Sequence, residues 1–280
     1  MLSKENVEEV LSIVPDGAKC CYTGQSILAY CPDPTFTWEE VNTWEEQTDI
    51  DIFCYNIQTQ ASLIREFIKA GFQPKDSVEE FKVSRICFCE PNRKFSLQTV
   101  KLDKEGMPEV NISWRKNEED CIDVIKAFDM DYLMVSMDIS KRIFADFRGE
   151  NHRIAHVNKF NARFDPYDAE PSFWYRQFDR CPKGWGRGID TRPVARQYAE
   201  WIRNTLSKGD TMATSKTRYY ADRAMREMIA PVVECGFTED QAIALYHMFT
   251  ETSPTWDGLK LRHESMLKKI ETWLSEVEDL

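Results

Sequence analysis

Asp49 and Asp51 are separated by a single residue in the stretch Thr48-Asp49-Ile50-Asp51-Ile52-Phe53-Cys54-Tyr55, which alternates polar and apolar and then turns wholly apolar. On a β-strand, residues two apart leave the same face, so both carboxylates point one way and Ile50 and Ile52 point the other, into a core. Carboxylates on Cα atoms about 6–7 Å apart can converge on one divalent cation, or on two. Hard cations such as Mg²⁺ or Mn²⁺ take such oxygen ligands and leave room for substrate phosphates. Upstream, Thr23-Gly24-Gln25-Ser26 reads as a turn between a short buried strand and a helix opening at Ile27. Gly24 lets backbone approach a ligand closely, and amides at the start of the following helix can hold phosphate oxygens. Downstream, Phe128-Asp129-Met130-Asp131-Tyr132 offers a second same-face pair. Asp131 opens an apolar run and is the expected third carboxylate, with Asp129 the alternative.

This order resembles the nucleotidyltransferase superfamily that includes DNA polymerase beta, the CCA-adding enzymes and the poly(A) polymerases. The resemblance rests on Gly24 with Gln25-Ser26, then Asp49 and Asp51, then Asp129 or Asp131. Thr23–Leu28, Thr48–Ile52 and Phe128–Tyr132 are also similar to small, mostly uncharacterised viral and eukaryotic members. It covers roughly residues 5–140. Two features depart from the usual pattern. Gln25 stands where Gly or Ser is usual, and residues 31–47 lengthen the gap between Gly24 and Asp49. The resemblance implies transfer of a nucleoside monophosphate from an NTP such as ATP, with release of pyrophosphate and with Mg²⁺ or Mn²⁺ as cofactor. It implies Asp49 and Asp51 as bridging metal ligands, a third Asp on the metal that activates the nucleophile, and Gly24, Gln25 and Ser26 on the nucleotide.

Other features suit an anionic ligand. Lys183-Gly184-Trp185-Gly186-Arg187-Gly188 interleaves glycines with two cations and a Trp. It is expected as a loop, either one in which Lys183 and Arg187 touch phosphates or the Trp stacks on a base, or a solvated turn with the Trp anchored in the core. Arg192, Arg196 and Arg203 can share a helix face, and Lys216, Arg218, Arg223 and Arg226 extend the basic strip. Residues 1–150 hold 17 Lys/Arg against 28 Asp/Glu, residues 151–226 hold 15 against 8, and residues 227–280 hold 4 against 11. A basic middle in a chain of net charge −11 favours contact with RNA or a triphosphate, although helical cations are ordinarily a solvated face.

The composition removes several classes. Nine cysteines without a Cys-x-x-Cys pair, beside only four histidines, do not make a structural zinc site, and they read as buried free thiols. No apolar run reaches the roughly 20 residues that span a bilayer, and Met1–Asn6 lacks the layout of a signal peptide. A cytoplasmic protein with no membrane partner is expected.

The elements that must hold these residues alternate. Helical spacing covers residues 6–14, strand patterns cover 18–22 and 48–55, and Gln58–Ala70 is amphipathic with Gly71 closing it. Strand patterns recur at Lys82–Glu90, Phe95–Leu102, Val110–Arg115 and Asp131–Met137, with a helix at Asp120–Ala127. Beyond Gly149, helices are expected at Ile154–Ala162, Arg192–Leu206, Ser215–Glu234, Glu239–Phe249 and Leu259–Leu280, with a loop from Phe164 to Gly188. The fold class is therefore α/β (α+β mixed), a mixed sheet with flanking helices, followed by an all-α C-terminal region. Two domains are expected, a nucleotidyltransferase-like one at 1–149 and a helical one at 150–280. The function implied is NMP transfer to an RNA or protein hydroxyl. The alternatives are a catalytically inactive fold of the same kind that binds nucleic acid or protein, and a phosphohydrolase or nuclease.

Overall fold

The structure is a computed structural model that describes residues 1–44, 49–75, 97–115, 118–160, 178–208, 233, 238 and 256–278. The chain divides into two compact units, one made of residues 1–152 apart from 90–92, the other beginning at Arg153.

The first unit is built on a mixed sheet of seven strands among the described residues, in the order β3-β4-β5-β2-β1-β6-β7. The strands are β1 Cys20–Thr23, β2 Ile50–Cys54, β3 Gln73–Pro74, β4 Leu97–Asp103, β5 Val110–Arg115, β6 Val135–Asp138 and β7 Ile143–Asp146. Central β2 runs antiparallel to β1 and parallel to β5, and the remaining neighbours are antiparallel. Its helices are α1 Lys4–Ser12, α2 Ile27–Tyr30, α3 Trp38–Asn42, α4 Ile57–Lys69 and α5 Cys121–Lys126.

Local chemistry explains most of these boundaries. Ser3 caps α1 by accepting from the Asn6 amide, and Asn56 caps α4 by accepting from the Thr59 amide at 2.8 Å. Thr37 and Glu40 form a reciprocal capping box on α3, so the residues between Cys31 and Trp44 carry a short ordered helix. Gln60, one turn into α4 and buried, donates to the Ile112 carbonyl at 3.0 Å and ties the helix to β5. Period-2 burial on β2 puts Ile50, Ile52 and Cys54 at 0% exposure. Phe53 faces the opposite side, where Cys21 and Val124 of α5 form a small core with it. The residues of that second face towards the N-terminal end of β2 are polar.

Arg148, just after β7, holds the segment after α2 in place. Its side chain is fully enclosed and donates to Asp146, to the Thr35 hydroxyl at 2.7 Å and to the Asp33 carbonyl at 2.7 Å. Arg148→Met should therefore cost about 1–2 kcal/mol in urea unfolding, because it removes the enclosed guanidinium's bonds to the Thr35 hydroxyl and the Asp33 carbonyl, while Asp146 keeps the Arg148 backbone amide. Arg148→Lys should recover little, since an ammonium cannot reproduce the forked contact.

The second unit contains α6 Arg180–Gly186, α7 Arg192–Lys208 and α8 Trp256–Glu278. The Trp273 ring of α8 packs edge-on against Phe178 and Trp185, and Arg196–Glu278 and Arg203–Glu271 pair α7 with α8 at the surface. Trp273→Ala should cost about 3 kcal/mol in the same assay. Arg203→Gln should cost well under 1 kcal/mol, because exposed pairs contribute little.

The α+β class is as expected, and so are the positions of β2, α4, β5, α5, α7 and α8. Three elements differ. Asp131–Leu133 is a 3₁₀ turn, with the Met134 amide bonded to the Asp131 carbonyl at 2.9 Å, so the strand begins only at Val135. Ile154 is paired in parallel with Asp190 and the Ala155 amide donates to the Asp190 carbonyl, which is extended rather than helical backbone. The glycine-interleaved stretch forms helix α6, with Cys181 and Gly184 buried, and Gly188 at φ +81 closes it. Strand β7 follows a tight connection and was not expected. The pattern at Lys82–Glu90 and the helices expected at Ser215–Glu234 and Glu239–Phe249 lie outside the described residues, apart from Val233.

Candidate metal centre

A polar row crosses the sheet on one face: Lys101 of β4 opposite Asn111 of β5, Asn111 opposite Asp51 of β2, and Asp51 opposite Thr23 of β1. Residues directly opposite one another in a sheet share a face, so topology alone gathers them. Asp49 lies one residue before β2 and joins the row through Asn111. The Asn111 Nδ2 donates to Asp49 Oδ2 at 2.5 Å and to Asp51 Oδ1 at 3.1 Å. Both carboxylates therefore converge on one point, as their spacing on a strand predicts.

Gly24 closes the other side. It follows β1 at φ +86, and a Cβ built there would lie 2.1 Å from Asp51 Oδ2. Glycine is required twice over, by the left-handed backbone and by the absence of space. The Asp51 carboxyl is thus enclosed between Gly24 and Asn111. Desolvation, and next the neighbouring Asp49 charge, push it up to about 7, against the pull of the Asn111 amide and Lys101. A negative pair held this way is short of positive charge.

The other expected residues are placed as follows. Gln25 and Ser26 follow Gly24; Ser26 is fully buried beside the Tyr22 hydroxyl at the start of α2, whereas Gln25 is partly exposed. Asp131 starts the 3₁₀ turn before β6, its carboxylate near Gly149, and Asp129 is buried at 5% exposure. Strand β1 lies between β2 and β6. Among the described residues, no group of three or more His, Cys, Asp or Glu is placed to hold a metal ion. Lys183 lies within α6 and Arg187 caps it, both in the second unit.

Sequence reasoning missed Asn111. Its signal was present, a lone amide at the polar position of an otherwise apolar strand start, Val110-Asn111-Ile112. Nothing local said that β5 would be the parallel neighbour of β2.

Among the described residues, no helix is long and apolar enough to cross a membrane. No protein-family description matches the chain, and no curated protein does. Six chains of solved structures match, among them a Thermotoga maritima CCA-adding enzyme complexed with tRNA. It is 12% identical, covers 96% of this chain and 70% of its own, and has a TM-score of 0.38, a likeness too slight to fix fold or function.

Proposed function

We propose that the Asp49–Asp51–Gly24 centre is the catalytic site of a metal-dependent nucleotidyltransferase that moves an NMP from an NTP to an RNA or protein hydroxyl. One observation carries the reading: two carboxylates converge on the same point of a central strand, with a glycine backbone pressed against one of them. The motif order that resembles the nucleotidyltransferases runs through these same residues.

The donors present suit a divalent cation. Asp49 and Asp51 would hold it, and their oxygens are the hard, anionic kind that Mg²⁺ or Mn²⁺ prefers. Such a cation, once bound, neutralises charge on the α-phosphate and lowers the pKa of the attacking hydroxyl. The protein's own part is positioning. Gly24 lets the turn lie against the Asp51 carboxylate, and Gln25 and Ser26 would contribute backbone amides to a phosphate there. The sheet fixes both carboxylates before substrate arrives, so little reorganisation accompanies transfer. Lys183, Arg187 and the basic segment 151–226 are the proposed contacts to triphosphate or RNA, with the catalytic domain at 1–149 and the helical one at 150–280.

A second reading has its own support. With no third carboxylate grouped with the pair among the described residues, the chain suits a catalytically idle fold that binds nucleic acid or protein. The deciding experiment incubates the protein with Mg²⁺ or Mn²⁺, each α-labelled NTP and a cell extract, beside a folded Asp51→Asn variant. Label on an RNA or protein band with the parent alone, together with pyrophosphate release, is the expected result. No label and no metal-dependent NTP binding would favour the idle reading, and free nucleotide or phosphate would point to a hydrolase.

A further inference from the structure

We infer that Asn111 is the third ligand of the cation: its amide turns over when the metal arrives and presents Oδ1 beside Asp49 and Asp51. The inference rests on those two residues being metal ligands, and goes beyond that reading by completing the donor set with a neutral group from a different strand.

Three observations meet at this side chain. Asn111 is 6% exposed and directly opposite Asp51 in the parallel β2–β5 pairing. Its Nδ2 reaches both carboxylates at once. Its Oδ1 is buried with no hydrogen-bond partner. Carboxylates only accept, so without a cation the amide must turn its N–H groups towards them, and its oxygen is left unmatched. A buried acceptor in that condition is destabilising. A divalent cation between Asp49 and Asp51 reverses the preference, since a cation takes oxygen and repels N–H. Turning the amide over brings the unmatched acceptor to the metal and removes the mismatch in one move. Asn side-chain carbonyls are ordinary ligands for hard cations.

The charges set the stoichiometry. Two carboxylates and a neutral amide balance one divalent cation, so the protein without nucleotide takes a single ion at this site. The amide also serves the metal-free state, where it is the group that keeps two adjacent carboxylates together.

The test is Mn²⁺ titration of the full chain at pH 8 without nucleotide, read from the electron paramagnetic resonance signal of free Mn²⁺. The parent should bind one ion and Asp51→Asn should bind none; a parent that binds none up to several millimolar would remove the metal reading itself, and this inference with it. Asn111→Leu, of similar size, should bind about tenfold more weakly, the scale on which metal sites respond to loss of a supporting group. If Asn111 merely held the carboxylates together, the same change would leave them more repulsive and bind Mn²⁺ as tightly as the parent or tighter, and that result would overturn the inference. Should circular dichroism show Asn111→Leu unfolded, Asn111→Asp decides alone: at least tenfold tighter binding supports a ligand position, and unchanged or weaker binding overturns it.

Discussion

Asp51→Asn should yield a protein that is more stable than the parent at pH 8 without metal, and that shows the proposed transfer activity reduced by at least about 100-fold. The stability gain follows from linkage. The folded carboxyl of Asp51 titrates at about 7, well above the unfolded value near 3.9. Between those values the folded state holds a proton that the unfolded chain has released. Its contribution to stability is therefore fully present below about pH 4 and is lost as pH rises through about 7. At pH 8 the parent carries two neighbouring carboxylates, one of them enclosed, at a cost on the order of a few kcal/mol. An Asn at position 51 has no proton to lose. Urea unfolding at pH 4 and pH 8 should show the parent losing stability over this range relative to the variant. A divalent cation should restore the parent at pH 8 and leave the variant unmoved. Equal pH profiles for the two proteins would show that Asp51 is solvated and unstrained, which would count against a preformed cation site.

Gly24→Ala should cost about 3 kcal/mol and most of the proposed activity. Left-handed backbone alone costs an L side chain about 1–2 kcal/mol. The remainder arises because the new Cβ would stand 2.1 Å from Asp51 Oδ2 and 2.9 Å from its carboxyl carbon, so strand or carboxylate must shift. A double-mutant cycle separates the two terms. In an Asp51→Ala background the carboxyl is gone and only the Asp51 Cβ contact, at 3.0 Å, remains. The cost of Gly24→Ala should then fall towards that of the backbone strain alone, a coupling of about 1 kcal/mol or more. An undiminished cost would place the damage in the turn itself and remove the close approach between Gly24 and Asp51 as its cause.

The local parts of this protein are written in its local sequence. Ser3, Thr37, Asn56 and Asp120 each start a helix with their own side chain, and the alternation around Ile50 and Ile52 fixes both a strand and the common face of Asp49 and Asp51. These are effects of spacing within a few residues, so they survive without knowledge of the rest of the chain. The same is true of Gly24, whose turn reads directly as glycine followed by a helix start. Where local pattern and nonlocal packing compete, the sequence reading fails. Asp131 is followed by an apolar run that looks like strand from its first residue, yet hydrogen bonding over one turn makes its start 3₁₀. Lys183 to Gly186 is glycine-rich enough to read as loop, but buried Cys181 and Gly184 hold it as helix. The partner of the two carboxylates was hidden for a deeper reason. Asn111 stands 60 residues from Asp51 along the chain and directly opposite it in the sheet, because β5 inserts beside β2 rather than beside β1. Side-chain period determines which face a residue takes, and the sequence displays it. Strand order determines which residues share that face, and it depends on how the strands divide a common core, a property of the whole chain that no local spacing records.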